Sequence, residues 1–386
     1  MFIAPFATAQ DYVDDLVRRA LAARASDIHV ERKADEGLIR VRSENVLRDW
    51  AKLPLDKLDL LIRRLKFISS LDPEHSGRAQ EGRFEFLHNN EKIAMRLSVL
   101  PTAGSDDIVI RLLGSSPERF GLKDLSFAPA IREGLEFCVQ KSSGLIVVTG
   151  PTGSGKTSTL YAAVQELNDG SNKIITVEDP IEYKVPGLTQ IKIDAKKGVT
   201  YTSTLRTVLR HDPDVILVGE VRNLEEAEIA VEASMTGHLV LTTLHTNSAA
   251  GAILRLVNLG IPAIDVSNAL TATYAQRLLR LLCPQCKVEA PAPKLLKDLL
   301  GPKAPAKVFE PKGCEHCGNT GYKGRVPVGE LIIIDDDFRD AIIASPNLNS
   351  LNKLMKAKNI KSLADYALDL VAEGKVSFKD VMGTVL

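Results

Sequence analysis

The run Gly150-Pro151-Thr152-Gly153-Ser154-Gly155-Lys156-Thr157 follows the apolar stretch Leu145-Ile146-Val147-Val148-Thr149 and constrains this chain more than any other feature. It fits G-x-x-x-x-G-K-[ST], the loop whose backbone N–H groups cradle a nucleotide's phosphates. Glycine allows the tight curl that turns successive N–H groups toward one point. Lys156 supplies a point charge for β- and γ-phosphate oxygens, and the Thr157 hydroxyl suits a Mg²⁺ position. Thr157 to Leu167 reads as a helix whose first turn, with Ser158, faces the same phosphates. Strand, loop and helix in this order imply a parallel α/β sheet with a nucleoside triphosphate at its carboxyl edge.

A chain of 386 residues suggests two or three domains. Lys+Arg and Asp+Glu are both 49, so no net field recommends nucleic acid as a direct partner. No apolar stretch approaches the roughly 20 residues that span a bilayer, and Met1 to Gln10 lacks the pattern of a signal peptide. A cytoplasmic chain is expected, touching membrane through protein partners alone. Cys138, on an expected helix from Ile131 to Gln140, reads as a small buried hydrophobe.

Residues 11–24, with Arg24 near the end, have helical spacing. Ser26–Glu31 and Leu38–Arg42 alternate as a hairpin, and Leu55 to Ser70 is a second amphipathic helix. Arg83–Leu87 and Lys92–Val99 form a second hairpin turning at Asn89-Asn90, and Ile108–Leu112 adds a strand. Residues 1–114 therefore read as a small α+β domain, 115–130 as a polar linker and 131–386 as the nucleotide-binding α/β domain. In the latter, strands are expected at 173–177, 215–219 and 239–243, and helices at 223–235 and 248–258. A further helix is expected at 264–282, and beyond Leu331 a helical remainder with one short strand.

Three segments add chemistry. Val215–Gly219 is an apolar strand delivering Glu220 to the ligand edge; an ordinary solvated strand end reads the same way. Ile175–Val177 leads into Glu178-Asp179-Pro180-Ile181-Glu182, three carboxylates suited to metal coordination and water activation, or else an acidic turn. His238 and His245 bracket Leu239–Leu244; His245 suits a γ-phosphate contact, although a structural histidine fits equally well.

In order, the phosphate loop, Val177–Glu182, Val218–Arg222 and Thr236–Thr246 resemble the Walker A, Asp, Walker B and His boxes of the secretion ATPases. These are the hexameric motors of type II secretion and type IV pilus assembly, the GspE/PilB family. Ala25–Glu31 is similar to that family's second N-terminal domain. The resemblance implies a RecA-like P-loop core. Glu178 would activate water, Glu220 would work with Mg²⁺, and His238 and His245 would couple nucleotide state to movement. It also implies arginines set against the triphosphate, some from a neighbouring subunit or the N-terminal domain: Arg83, Arg96, Arg206, Arg210, Arg222 and Arg255. Arg206 and Arg210, four apart on an expected helix, would share a face.

Cys283-Pro284-Gln285-Cys286 and Cys314-Glu315-His316-Cys317 are two C-x-x-C pairs, which together complete a tetrahedral thiolate site. Zinc fits this pattern better than two disulfides, and a closed four-thiolate site is structural. The zinc module is expected at about 283–325. Within the resembling family such a module marks export and assembly motors, whereas retraction motors lack it. Two departures stand out: few residues precede Ser26, and Arg42-Ser43-Glu44-Asn45 replaces the Asp-Gly turn usual there. The expectation is an ATP-hydrolysing, Mg²⁺-dependent, zinc-containing homo-hexamer driving a platform protein at the cytoplasmic membrane. The alternatives are a nucleic-acid-dependent motor, a pilus-retraction type of ATPase and a nucleotide-gated scaffold.

Overall fold

The computed structural model describes residues 8–23, 25–43, 46–74, 77–89, 91–103, 105–112 and 121–386. Arg24, Glu44, Asn45, Asn90 and the start of the expected linker lie outside these. The chain divides into two compact units, Met1–Pro117 and Glu118–Leu386.

The first unit begins with α1 (Ala9–Ala22), capped by Thr8, whose side chain accepts from the Asp11 N–H while Asp11 accepts from the Thr8 N–H. Strands β1 (Asp27–Arg32), β2 (Gly37–Ser43) and β3 (Val46–Leu53) follow, then α2 (Leu55–Ile68), β4 (Gln80–His88), β5 (Glu91–Thr102) and β6 (Ser105–Leu112). All pair antiparallel in the order β3-β2-β1-β6-β5-β4. The period-two pattern sends Ile28, Val30, Met95, Leu97, Ile108 and Ile110 into one core with α1 and α2. Lys66 and Asp106 form a buried ion pair at 2.8 Å in this unit.

The second unit is built in chain order from α3 (Pro129–Val139), β7 (Gly144–Thr149), α4 (Lys156–Glu166), β8 (Ile174–Glu178), β9 (Thr189–Lys192), α5 (Tyr201–Val208), β10 (Val215–Val218), α6 (Leu224–Met235), β11 (Leu239–Leu244), α7 (Ala249–Leu259) and α8 (Ala263–Ala269). Then come β12 (Leu270–Leu282), β13 (Val288–Pro291), α9 (Lys294–Leu300), β14 (Lys307–Glu310), β15 (Tyr322–Ile333), α10 (Asp336–Ala344), α11 (Leu348–Ala357), α12 (Leu363–Ala372) and α13 (Phe378–Thr384). The main sheet runs β15-β12-β7-β11-β10-β8-β9, parallel throughout except for β15 against β12. Its central strands are buried on both faces. Leu145 and Val147 enter one core with α6, α7 and the C-terminal helices; Ile146 and Val148 enter the other with α3 and α4.

Three expectations change. Residues 270–282, expected as helix, form the strand β12, because β7 on one side and β15 on the other satisfy its backbone groups. β15 is a 12-residue strand that starts within the expected zinc module and runs past Leu331, where a helical remainder with one short strand was expected. The later part of the expected linker is packed into the second unit: Leu122 and Phe127 are buried in its core.

Candidate active site

The carboxyl ends of four adjacent parallel strands deliver the site. In sheet order, β7 leads into the phosphate loop, β11 into His245 and β10 into Glu220, while β8 ends on Glu178. A cleft of about 170 Å³ between them is lined by Lys156, Thr157, Tyr161, Glu178, Asp179, Glu182, Tyr201, Glu220 and His245. A larger cleft of about 760 Å³ along β15 and α12 contains none of the four boxes' residues.

The loop has the shape its glycines permit. Gly150 and Gly155 adopt φ of +149° and +89°, and a Cβ on either would lie 2.5 and 2.7 Å from Gln276 atoms on β12. Gly153 also has positive φ, and Pro151 and Thr152 are exposed beside it. Lys156 Nζ donates to Gly150 O at 2.8 Å and Pro151 O at 3.1 Å. Burial pulls its pKa down, Glu220 opposes that and Arg277 reinforces it. Ser154 Oγ is buried in the loop with no hydrogen-bond partner. Thr157 and Ser158 stand exposed on the first turn of α4, whose leading N–H groups have no partner within the helix. An orphaned hydroxyl, a cation held by loop carbonyls and a helix N-terminus suit a phosphate with its Mg²⁺.

Glu178 is buried and closely held. Tyr161 Oη donates to Oε2, while Thr176 Oγ1 at 2.6 Å and Gln190 Nε2 at 3.4 Å donate to Oε1. Burial and the neighbouring Glu178 carboxylate push the Tyr161 hydroxyl far above its ordinary pKa, so it acts as a donor. Glu220 pairs with the Arg222 guanidinium, and its other oxygen lies 3.6 Å from His245 Nε2. Hydrogen bonding to Glu220 holds Arg222 above its usual pKa despite some burial.

His238 is a correction. It precedes β11 at the opposite edge of the sheet, roughly 20 Å from Leu244 at about 3.3 Å per residue. There its Nδ1 lies 3.0 Å from Ala233 O and its carbonyl accepts from Gly144 N. Arg210 is a second correction: α5 ends at Val208, so Arg206 and Arg210 do not share a helix face. Arg206 is ion-paired with Glu225 at 3.0 Å, and Arg210 and Arg255 are exposed outside the cleft wall. In the first unit, Arg83 and Arg96 sit directly opposite each other on β4 and β5, with Arg96 paired to Glu81.

The functional residues missing from the sequence reading are Tyr161, Gln190, Gln276, Arg277 and Thr149. Gln276 Nε2 donates to Ser154 O at 2.8 Å and its Oε1 accepts from Thr159 Oγ1 at 2.6 Å, which braces the loop from β12. Taking β12 for a helix concealed both Gln276 and Arg277.

The four cysteines converge. All four Sγ atoms lie within 4.8 Å of one another, with Cys283–Cys314, Cys286–Cys317 and Cys314–Cys317 at 3.9, 3.8 and 3.8 Å. A tetrahedron of sulfurs about 2.3 Å from zinc has edges of about 3.8 Å, whereas a disulfide needs about 2.05 Å. Burial opposes ionisation of Cys317, but N–H groups of Cys314 and Gly321 donate to its sulfur and its pKa falls to about 6. The thiolate character suits Zn²⁺. The site joins the end of β12 to the start of β15, with β13 and β14 paired between.

The Type II/IV secretion system protein family model matches residues 5–383. The chain is 39% identical over 372 residues to the Type II secretion system protein E of Aeromonas hydrophila, covering 96% of this chain and 74% of that protein. It is 37% identical over 382 residues to the Type IV pilus assembly ATPase PilB of Thermus thermophilus. That match covers 98% of this chain but 43% of the relative, so the chain spans less than half of PilB's length. Among solved structures, the pilus retraction motor PilT with bound ADP is similar at a TM-score of 0.64 and 27% identity, over 96% of each chain. With the phosphate loop, Glu178, Glu220 and His245 gathered at one sheet edge, this chain belongs to the type II/IV secretion system ATPase family.

Proposed function

We propose that the chain is the ATP-hydrolysing subunit of a motor that drives type II secretion or type IV pilus assembly. The observation carrying this is the convergence of phosphate loop, His245, Glu220 and Glu178 on four adjacent strand ends around one cleft. Lys156 and the loop N–H groups hold the β- and γ-phosphates. Thr157 and Glu220 would hold Mg²⁺, which would supply charge neutralisation at the transferring γ-phosphoryl group. Glu178, fixed by Tyr161, Thr176 and Gln190, orients the attacking water and takes its proton. His245, beside Glu220, reads whether the γ-phosphate is present.

The exposed Arg83 and the half-buried Arg96 act on a triphosphate held by a neighbouring subunit, which makes a closed ring, a homo-hexamer, the working form. The ring passes its movement to a platform protein at the cytoplasmic membrane; among the described residues no helix is long and apolar enough to cross one. The thiolate cluster holds one structural Zn²⁺ and favours the assembly direction over retraction.

The test is Mg²⁺-dependent phosphate release by zinc-loaded protein, with the oligomer sized in parallel. Turnover lost in Lys156→Ala and Glu220→Gln is expected. An oligomeric wild-type protein without turnover sinks the proposal. Turnover that needs single-stranded DNA would put a nucleic-acid motor in its place.

A further inference from the structure

Two opposite charges are buried side by side in the second unit without pairing. Arg277 on β12 and Glu330 on β15 are 8% and 6% exposed, and among the described residues neither forms an ion pair. Each feels the other's opposite charge across the sheet, but without a direct ion pair burial stays costly for both, and neutral side chains can anchor a loop more cheaply. Arg277 Nη2 donates to Asn247 O at 3.3 Å and Asn247 Oδ1 at 3.2 Å, and Nη1 to Gln276 O at 3.0 Å. Glu330 Oε1 accepts from Ala249 N at 2.6 Å and Oε2 from Leu363 N at 3.4 Å. Arg277 therefore grips the short segment that connects His245 to α7, and Glu330 fixes the first residue of α7, where that segment ends, together with the first residue of α12.

That segment is also tied to the root of the phosphate loop. Thr149, the last residue of β7, accepts from Thr246 N at 2.8 Å, and its hydroxyl meets Thr246 Oγ1 at 2.9 Å. On β12, adjacent side chains point to opposite faces. Gln276 braces the phosphate loop through Ser154 and Thr159, and the next residue, Arg277, holds Asn247. One strand thus serves as the common reference for the two halves of the site.

We propose that Arg277 and Glu330 are positioning residues that act through His245, fixing the segment after it so that the imidazole stays opposite Glu220 and in register with the phosphate loop. The proposal rests on the hydrolytic reading above. Neither residue lines the cleft that holds Lys156, Glu178, Glu220 and His245, so their loss slows the step His245 serves and leaves nucleotide binding largely intact.

The experiment uses the full chain and measures ATPase kinetics, affinity for fluorescent ADP and thermal melting. It compares wild type, Arg277→Gln, Arg277→Lys, Glu330→Gln, His245→Ala and the double variant Arg277→Gln/His245→Ala. Arg277→Lys keeps a cation in the core but has a single nitrogen, so it cannot hold Asn247 and the Gln276 carbonyl at once as Nη2 and Nη1 do, and it carries the test if Arg277→Gln fails to fold. The expected result is a fall in kcat of roughly tenfold to a hundredfold, as misplacement of a catalytic group produces. KM and ADP affinity should stay within about twofold. The double variant should be no slower than His245→Ala alone, because both changes remove one contribution.

Independent, multiplying losses in the double variant overturn the proposal, as does loss of ADP affinity in step with kcat. So does an unchanged kcat in folded Arg277→Lys and Glu330→Gln. The hydrolytic reading fails separately, if wild-type protein has no turnover that Lys156→Ala removes.

Discussion

His245 Nε2 lies 3.6 Å from Glu220 Oε2, although the whole of α6 and β11 lies between them along the chain. The contact exists because β10 and β11 are parallel neighbours that release their last residues at the same edge of the sheet. It joins a carboxylate suited to the metal side of a triphosphate with an imidazole that can hydrogen-bond a phosphate oxygen.

The two histidines of one box should therefore separate in function. His245→Ala is expected to reduce kcat by roughly tenfold to a thousandfold, while ADP affinity changes little. His238→Ala, at the far edge of the sheet, should show its effect in the melting temperature first. Equal kcat losses with unchanged stability would contradict the placement of His238.

Lys156→Ala should abolish measurable nucleotide binding, whereas Glu220→Gln should bind ATP and turn it over on the order of a hundredfold more slowly or less. Filter binding and phosphate release on the same preparations separate the two. A Glu220→Gln protein hydrolysing at the wild-type rate would remove that carboxylate from the reaction.

Nucleotide affinity should fall at alkaline pH earlier than an ordinary lysine allows. Burial lowers the Lys156 pKa below 10.5 in the free protein, and a bound phosphate raises it again. As pH climbs toward the lowered value, free protein loses the proton that binding requires, so ADP binding takes up a proton and weakens. Calorimetry in buffers of different ionisation enthalpy should detect that uptake on the alkaline side, at lower pH than an ordinary lysine would show it. The Lys156→Arg protein should show none.

Metal analysis should find about one zinc per chain in fresh, reduced protein. Cys286→Ser or Cys314→Ser should lose it and lower the melting temperature, because four thiolates and their N–H donors cross-link the ends of β12 and β15. Chelation should act the same way. Full stability after complete zinc removal would contradict a structural role.

In the first unit, Lys66→Met should destabilise by roughly 3–5 kcal/mol, since it leaves Asp106 buried without its cation. Lys66→Met/Asp106→Leu should recover a substantial part, measured by denaturant unfolding. A single variant as stable as wild type would mean that water reaches Asp106.

Much of the site was legible because its chemistry is local. The phosphate loop needs adjacent glycines, a lysine and a helix start, all within eight residues. Glu178 and Glu220 each stand at the end of an apolar strand, so a strand and its last residue could be recognised together. The two C-x-x-C pairs announced a thiolate site by spacing alone. β12 was not legible. Leu278, Leu279, Leu281 and Leu282 mimic an amphipathic helix, and the strand exists because β7 and β15 offer hydrogen-bond ladders on both sides. With β12 misread, Gln276 and Arg277 had no place in the site.

The sequence by itself marked out the phosphate loop, the carboxylates and the cysteines as candidate ligands, because each depends on neighbours a few residues away. Tertiary structure decided which distant groups meet them. It set Tyr161 and Gln190 on Glu178, placed His245 rather than His238 at the cleft, and set Arg277 on the segment after His245 and Glu330 on the first residue of α7. The reason is physical: strand order and direction in a parallel sheet select which ends share an edge, and no local pattern of residues encodes that order.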